Sequence, residues 1–294
     1  MNFPRPVVQE AAFVRGATGS RLRLVCQPAD GNPIGTVIAA HAFAEEMNKG
    51  RRMCARMARL LAERGWRVVQ KDLFGCGDSS GDFADASWAA WTADLEDELS
   101  QADAARPIWL WGMRAGALLA SAVLPGRPQV NLLLWQPVCS GAQHLKQFLR
   151  LHAGARIVGS GKTGSNASPA QLLRSGTAVE IGGYELNPAL ADGLEQANLD
   201  VPADFAGRVV WFEVASDEAQ QLSPAATREI ERLRARQIAV EAEAVFGTAF
   251  WQTQEIEECE SLLRRSLAAL AHASSMPPEA RAADTEPLLA RSSP

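Results

Sequence analysis

Residues 107–120, PIWLWGMRAGALLA, carry the most chemically suggestive spacing in the chain. An apolar run from Pro107 to Trp111 meets Gly112, and Gly116 then opens a small-residue, helix-like segment. Two glycines so placed let a buried strand turn sharply into a helix and raise one side chain at the apex. In a nucleophile elbow, G-x-S-x-G, that side chain is a serine and the chemistry is acyl transfer. Here the five residues are Gly112, Met113, Arg114, Ala115 and Gly116, so the apex is arginine. A guanidinium cannot be deprotonated and is no nucleophile. It can grip a carboxylate, phosphate or sugar acid through its planar fork, or close an ion pair with an acid. Both readings are open at this point.

A serine mechanism also needs a carboxylate and a histidine base, in chain order nucleophile, acid, base. Asp217, in ASDEAQQLSPA, stands after an apolar strand where the acid belongs. The base belongs in FGTAFWQT, which holds Phe250 and Trp251 but no histidine; the later His272 sits at the end of a helix. Cys76 and Ser79 lie on the glycine-rich KDLFGCGDSSGDF, and Cys76 with His41 is the substitute pair worth considering. A small residue filling a tight glycine turn is the favoured alternative, because a nucleophile should come with an oriented base. The candidate catalytic groups are thus Asp217, Cys76 and His41. Glu45, Glu46, Asp72 and Asp78 could gather a divalent metal with His41, but such carboxylates are usually solvated or cap helices. No metal and no cofactor are expected. Gly161-Lys162-Thr163 imitates a phosphate-binding loop, yet Arg156 stands where that motif needs glycine.

Arg114 would sit at the N-terminus of the following helix, where the macrodipole disfavours a cation by ~0.3–1 kcal/mol. Partial burial adds a desolvation cost unless the guanidinium is paired. An acid should therefore meet it, and Glu45, Glu46, Asp217 and Glu255 come from loops on the same rim. Met113, His41, Phe43 and Trp251 complete the set of expected ligand contacts, within a tryptophan-rich rim that includes Trp88, Trp91 and Trp251.

The elements that must position these residues alternate. AAFV and RLRLVC flank the turn-rich GATGS and read as a hairpin. GTVIAA (35–40), WRVVQ (66–70), the run at 107–111, VNLLLWQPV (130–138) and RVVWFEV (208–214) are buried strands, with a last strand at 238–245. Helical spacing runs over 49–64, 87–99 with Ser87 as N-cap, 224–236 and 254–273. Strands alternating with helices imply a mostly parallel α/β sheet, with sites beyond the carboxyl ends of its strands. Residues 1–153 and 201–273 form that core, 154–200 are too glycine- and serine-rich for it and read as a cap insertion, and 274–294 form a disordered tail.

At 294 residues, with 47% hydrophobic and 21% charged residues and a net charge of −5, the composition is that of a globular protein. The acidic balance argues against nucleic acid or an anionic membrane as a partner. No run approaches the ~20 apolar residues that would span a bilayer. MNFPRPVVQE lacks an apolar core, and five scattered cysteines fit reduced thiols, so a cytoplasmic location is expected.

The loops together resemble the α/β-hydrolase family. Asp72-Leu73-Phe74-Gly75-Cys76-Gly77-Asp78-Ser79 is similar to the D-x-x-G-x-G-x-S loop after the fourth strand of many members, and His41-Ala42-Phe43-Ala44 stands where the oxyanion loop begins. More narrowly, HAFAEEMNKGRRM, DLFGCGDSSGDF, WGMRAGALLA, LLLWQPV, GGYELNPAL and FWQTQEIEE resemble the exosortase A system-associated hydrolase 2 family. The resemblance implies an eight-stranded hydrolase-type sheet with helices on both faces and a small cap. It also implies a bacterial host with an exopolysaccharide and protein-sorting locus. Three functions follow as expectations: a hydrolase with unusual residues, a pseudo-hydrolase binding a small anionic or glycan-related ligand through Arg114, or a scaffold for other proteins of the exosortase locus.

Overall fold

The computed structural model describes residues 4–158, 167–217, 219 and 221–275. Residues 159–166 and 276–294 lie outside this range, and with them Gly161-Lys162-Thr163 and nearly all of the tail expected at 274–294. Strands β1 (Val7–Arg15) and β2 (Ser20–Pro28) form the opening hairpin. Then come β3 (Gly35–Ala40), β4 (Trp66–Lys71), β5 (Ile108–Met113) and β6 (Asn131–Trp135), followed after an excursion from the sheet by β9 (Arg208–Ala215) and β10 (Ala239–Phe246). They build one eight-stranded sheet in the order β1-β2-β4-β3-β5-β6-β9-β10. Strand β2 runs antiparallel to both of its neighbours, β1 and β4, and every other pair in the sheet is parallel. The parallel strands were legible as unbroken apolar runs because helices cover both of their faces.

Those helices are α1 (Glu45–Ala62) and α8 (Glu260–Ser275) on one face, and α2 (Trp88–Ser100), α3 (Gly116–Ala122) and α7 (Pro224–Ala235) on the other. Each face has its own core. Met53, Met57, Trp109, Trp111 and Leu263 fill the first, and Trp91, Leu95, Leu118, Leu134 and Ile230 fill the second. Ser87 caps α2 by accepting the Ala90 N–H at 3.1 Å. A buried Arg21–Asp94 ion pair at 2.7 Å ties β2 to α2, and Asp94 also accepts the Phe74 N–H, which fixes the loop after β4.

Two helix starts differ from the sequence expectation. Helix α1 begins at Glu45, not Lys49, because Ala44 turns the chain with φ +50°. The closing helix begins at Glu260, not 254. The acid-rich segment before it crosses α1, where Glu258 pairs with Arg52 and Arg56.

Between β6 and β9 the chain leaves the sheet through α4 (Gly141–Val158), α5 (Pro169–Arg174), a small hairpin of β7 (Val179–Ile181) and β8 (Tyr184–Leu186), and α6 (Pro188–Gln196). Asn187 seats this region by donating to the carbonyls of Ala84 and Ala86 at 2.7 and 2.6 Å. Tyr184 reaches across to α1, donating to Glu45 at 3.1 Å and accepting from Asn48 at 2.8 Å. Among the described residues, no helix is long and apolar enough to cross a membrane.

Candidate functional site

The strand-to-helix turn after β5 has the shape that the glycine spacing requires. A Cβ on Gly112 would fall 2.6 Å from Ala117 Cα, and one on Gly116 would fall 2.0 Å from the Ala40 carbonyl oxygen. Both positions are therefore closed to any side chain, and α3 is packed directly against β5 and the end of β3. Arg114 takes the apex with φ +54°, a left-handed conformation that a side-chain-bearing residue adopts at a cost. Its carbonyl accepts from Ala117 and Val138, and its own N–H donates to Trp135, so three elements hold the turn.

The guanidinium is compensated, as its position demands. Nε lies 3.0 Å from Glu46 Oε1 and Nη2 3.0 Å from the same oxygen, while Nη1 donates to the Gln136 carbonyl at 3.2 Å. Its carbon stands 5.5 Å from the Trp251 ring centroid, within cation–π range. The two side chains are 14% and 19% exposed, so the pair is largely out of water. Burial pushes the Glu46 carboxyl above its ordinary range, against the pull of Arg114. Glu46 Oε2 is buried without a partner. Removing the arginine would leave that carboxylate desolvated and unpaired. Arg114→Ala is therefore expected to destabilise the protein by about 1–3 kcal/mol, read as a lowered denaturant midpoint. An unchanged midpoint would show that the pair contributes nothing.

The other expected residues are distributed around this pair. Glu45 accepts from Tyr184 on β8, while Asp217 and Glu255 are exposed on their loops. Phe250, in the segment where the sequence places the base, is fully buried between Trp135 and Trp251, with ring centroids 6.3 and 5.0 Å away. Phe43 is buried in an aromatic cluster with Phe83, Trp91, His144 and Phe148. Trp91 is 1% exposed and donates to the Phe74 carbonyl, so it belongs to the core, not to the rim where the sequence suggested it.

His41 Nδ1 lies 2.8 Å from the Ala42 carbonyl, and Nε2 is buried without a partner. No hydrogen bond joins His41 to Cys76 among the described residues. Burial first, and the Asp72 charge second, push the Cys76 thiol up to about 12, which makes it a poor source of thiolate. Ser79 is spent on backbone, donating to Asp72 O at 2.5 Å and accepting from Leu22. Asp72 pairs with Arg51 at 3.1 Å. Among the described residues no three His, Cys, Asp or Glu side chains come together as a metal site.

Two site residues escaped the sequence reading. Gln136, with φ +43°, joins the end of β6 to the elbow by giving its carbonyl to Arg114 and taking the Val214 N–H at 2.7 Å. The polar residue between an apolar strand and Pro137 was its one signal. His144 comes from α4, is 7% exposed, and has neither ring nitrogen partnered. Burial first and the Arg114 charge second lower its pKa to about 4.

A mostly parallel sheet flanked by helices, with a glycine-framed elbow at the end of β5, defines an α/β-hydrolase core. A sequence profile described as serine aminopeptidase, S33, matches residues 31–179, just over half the chain, and the chain belongs to that family. Est1E from Butyrivibrio proteoclasticus, solved with ferulic acid bound, is similar at 15% identity and a TM-score of 0.59, over 89% of this chain and 100% of that one. A soluble variant of monoglyceride lipase from Saccharomyces cerevisiae, in complex with a substrate analogue, shares 13% identity and a TM-score of 0.59 over 94% and 96% of the two chains. A thermostable carboxyl esterase from Bacillus coagulans, in complex with glycerol, shares 12% identity and a TM-score of 0.58 over 91% and 99%. At such identities the likeness is one of fold. No curated protein matches the sequence.

Proposed function

We propose that the chain is a catalytically silent α/β-hydrolase-fold protein, a pseudo-hydrolase of a bacterial exosortase and exopolysaccharide locus. Its elbow would serve to hold a small anionic or glycan-related ligand under the α4–α6 cap. The observation that carries the reading is Arg114 itself: it takes the strained apex, pairs with Glu46 and lies over Trp251. Phe250 fills the base position, fully buried. A serine hydrolase has neither group there. The substitutes are poorly suited to the task, since His41 Nδ1 is turned to the Ala42 carbonyl and burial pushes the Cys76 thiol up to about 12.

Ligand binding is favoured over a purely structural cluster by the unpaired polar atoms beside the arginine. Glu46 Oε2, Trp251 Nε1 and both nitrogens of His144 are buried without partners. Such atoms cost free energy until something polar meets them. The arginine also keeps N–H groups that neither Glu46 nor Gln136 takes.

A serine-directed fluorophosphonate probe tests the silence. No serine of the purified protein should be labelled, and Arg114→Ser alone should give no esterase turnover, since a serine without a base stays a weak nucleophile. Stoichiometric labelling, or turnover by that variant, would reveal a working base and overturn the reading. For the ligand, a panel of sugar acids and sugar phosphates should raise the melting temperature of the wild type but not of Arg114→Gln.

A further inference from the structure

A cavity of about 220 Å³ lies between α1 and the sheet, with Met113 among its lining residues. Its α1 wall includes Met47, Arg51 and Cys54, which share one helical face by their spacing. Its sheet wall includes Ala39 and His41 from the end of β3, and Trp111 and Met113 from β5. Alternation along the strands turns Ala39, Trp111 and Met113 toward α1, while His41, just past the end of β3, lines the cavity with its ring edge-on to Trp91, centroids 6.2 Å apart. Four of the residues around this space carry soft or borderline donors: Met47, Cys54, Met113 and His41.

The donors are arranged for use. The Ala42 carbonyl can only accept, so the 2.8 Å contact fixes the proton of neutral His41 on Nδ1. Nε2 then holds the lone pair, buried and without a partner. A backbone carbonyl on one ring nitrogen is the usual second contact of a histidine that ligates metal through the other. Cys54 Sγ lies 3.8 Å from Met113 Sδ. Metal–sulfur bonds of about 2.3 Å would reach both sulfurs at an angle of roughly 110°. Gly50 makes the approach of the thioether to α1 feasible, because a Cβ there would fall 2.9 Å from Met113 Sδ.

We infer that this cavity is a binding site for a soft monovalent cation, Cu(I) in chemical class, held by Cys54 Sγ, Met113 Sδ and His41 Nε2, with Met47 at its edge. A thiol, thioethers and one imidazole select Cu(I) over harder divalent ions. Carboxylates are not needed, and the nearest one, Asp72, is already bridged to Arg51. On binding, Cys54 gives its proton to solvent and the thiolate neutralises the cation. The site does not depend on how the elbow is used.

Anaerobic competition of the reduced full chain against a chromophoric Cu(I) chelator tests it, with Ag(I) and Zn(II) as comparison ions. Cu(I) and Ag(I) should fill one tight site with thiolate-to-metal absorption in the near ultraviolet, and Zn(II) should compete poorly. Met113→Leu should weaken Cu(I) binding by about tenfold or more. Cys54→Ser should abolish the tight site, and Cys139→Ser should leave it intact. Apo-protein melting curves establish that each variant folds. Equal Cu(I) affinity in wild type and Met113→Leu, or uptake that follows the total thiol count, would overturn the assignment and leave these sulfurs as core packing only.

Discussion

Gly116→Ala is expected to cost about 3 kcal/mol of stability or more, the largest effect of any single methyl group near the elbow. The added Cβ would stand 2.0 Å from the Ala40 carbonyl oxygen and 2.6 Å from both Ala40 C and His41 O. All three are backbone atoms at the end of β3 and the first residue beyond it, so no side-chain rotation can relieve the clash. Either α3 slides away from the sheet or the His41–Ala44 loop is pushed off the site. Gly126 supplies the control. It has φ +75° but nothing within 4 Å of its Cβ position, so alanine there meets only backbone strain of about 1 kcal/mol. Urea titrations of the two variants should differ clearly in midpoint. Equal midpoints would mean that α3 moves freely against β3, and the elbow could not then hold Arg114 in a fixed, strained pose.

This steric logic explains why the elbow was legible without a serine. Glycine spacing records a backbone approach, and the approach is independent of the chemistry at the apex. The strands β3, β5, β6 and β9 were legible for a similar reason, since burial on both faces leaves an unbroken apolar run. The need for an acid beside Arg114 was also readable, because a cation at a helix N-terminus must be compensated. Which acid was not. Glu45 and Glu46 are neighbours, but one helical residue turns a side chain by about 100°. Glu46 therefore faces the elbow while Glu45 faces Tyr184. Trp91 was misplaced on the rim by the same ambiguity, since helical periodicity gives a buried face without saying how high on the sheet it sits. Cys54 carried no local signal at all. Its partner Met113 is 59 residues away, and only the packing of α1 against β5 brings their sulfurs together.

His144 is the residue least visible in the sequence and the one with the clearest expected pH signature. HLKQFLRLHA reads as one amphipathic helix, and nothing in it tells which histidine the cap will bury. In the fold its ring packs edge-on to Phe43, with centroids 5.8 Å apart, close enough to Arg114 to feel its charge. Burial and then that charge hold its pKa at about 4, below the ordinary 6.5. A folded-state value depressed below the unfolded one means that the native state binds the proton less readily. The stability of the neutral ring is fully present above pH 6.5 and is lost as the pH falls from there toward 4. At full protonation the gap between 6.5 and about 4 amounts to about 3 kcal/mol. His144→Phe removes the titrating group while keeping a ring against Phe43. The wild type should therefore lose about 3 kcal/mol relative to this variant as buffer moves from pH 7 to below 4, and the difference isolates His144 from His41, which is lowered as well. Parallel stability curves for the two proteins would show that the ring is hydrated in solution. Arg114→Ala provides the internal check through the imidazole resonances of His144. Because burial outranks the arginine as the cause, its titration midpoint should rise in that variant yet stay below the ordinary value.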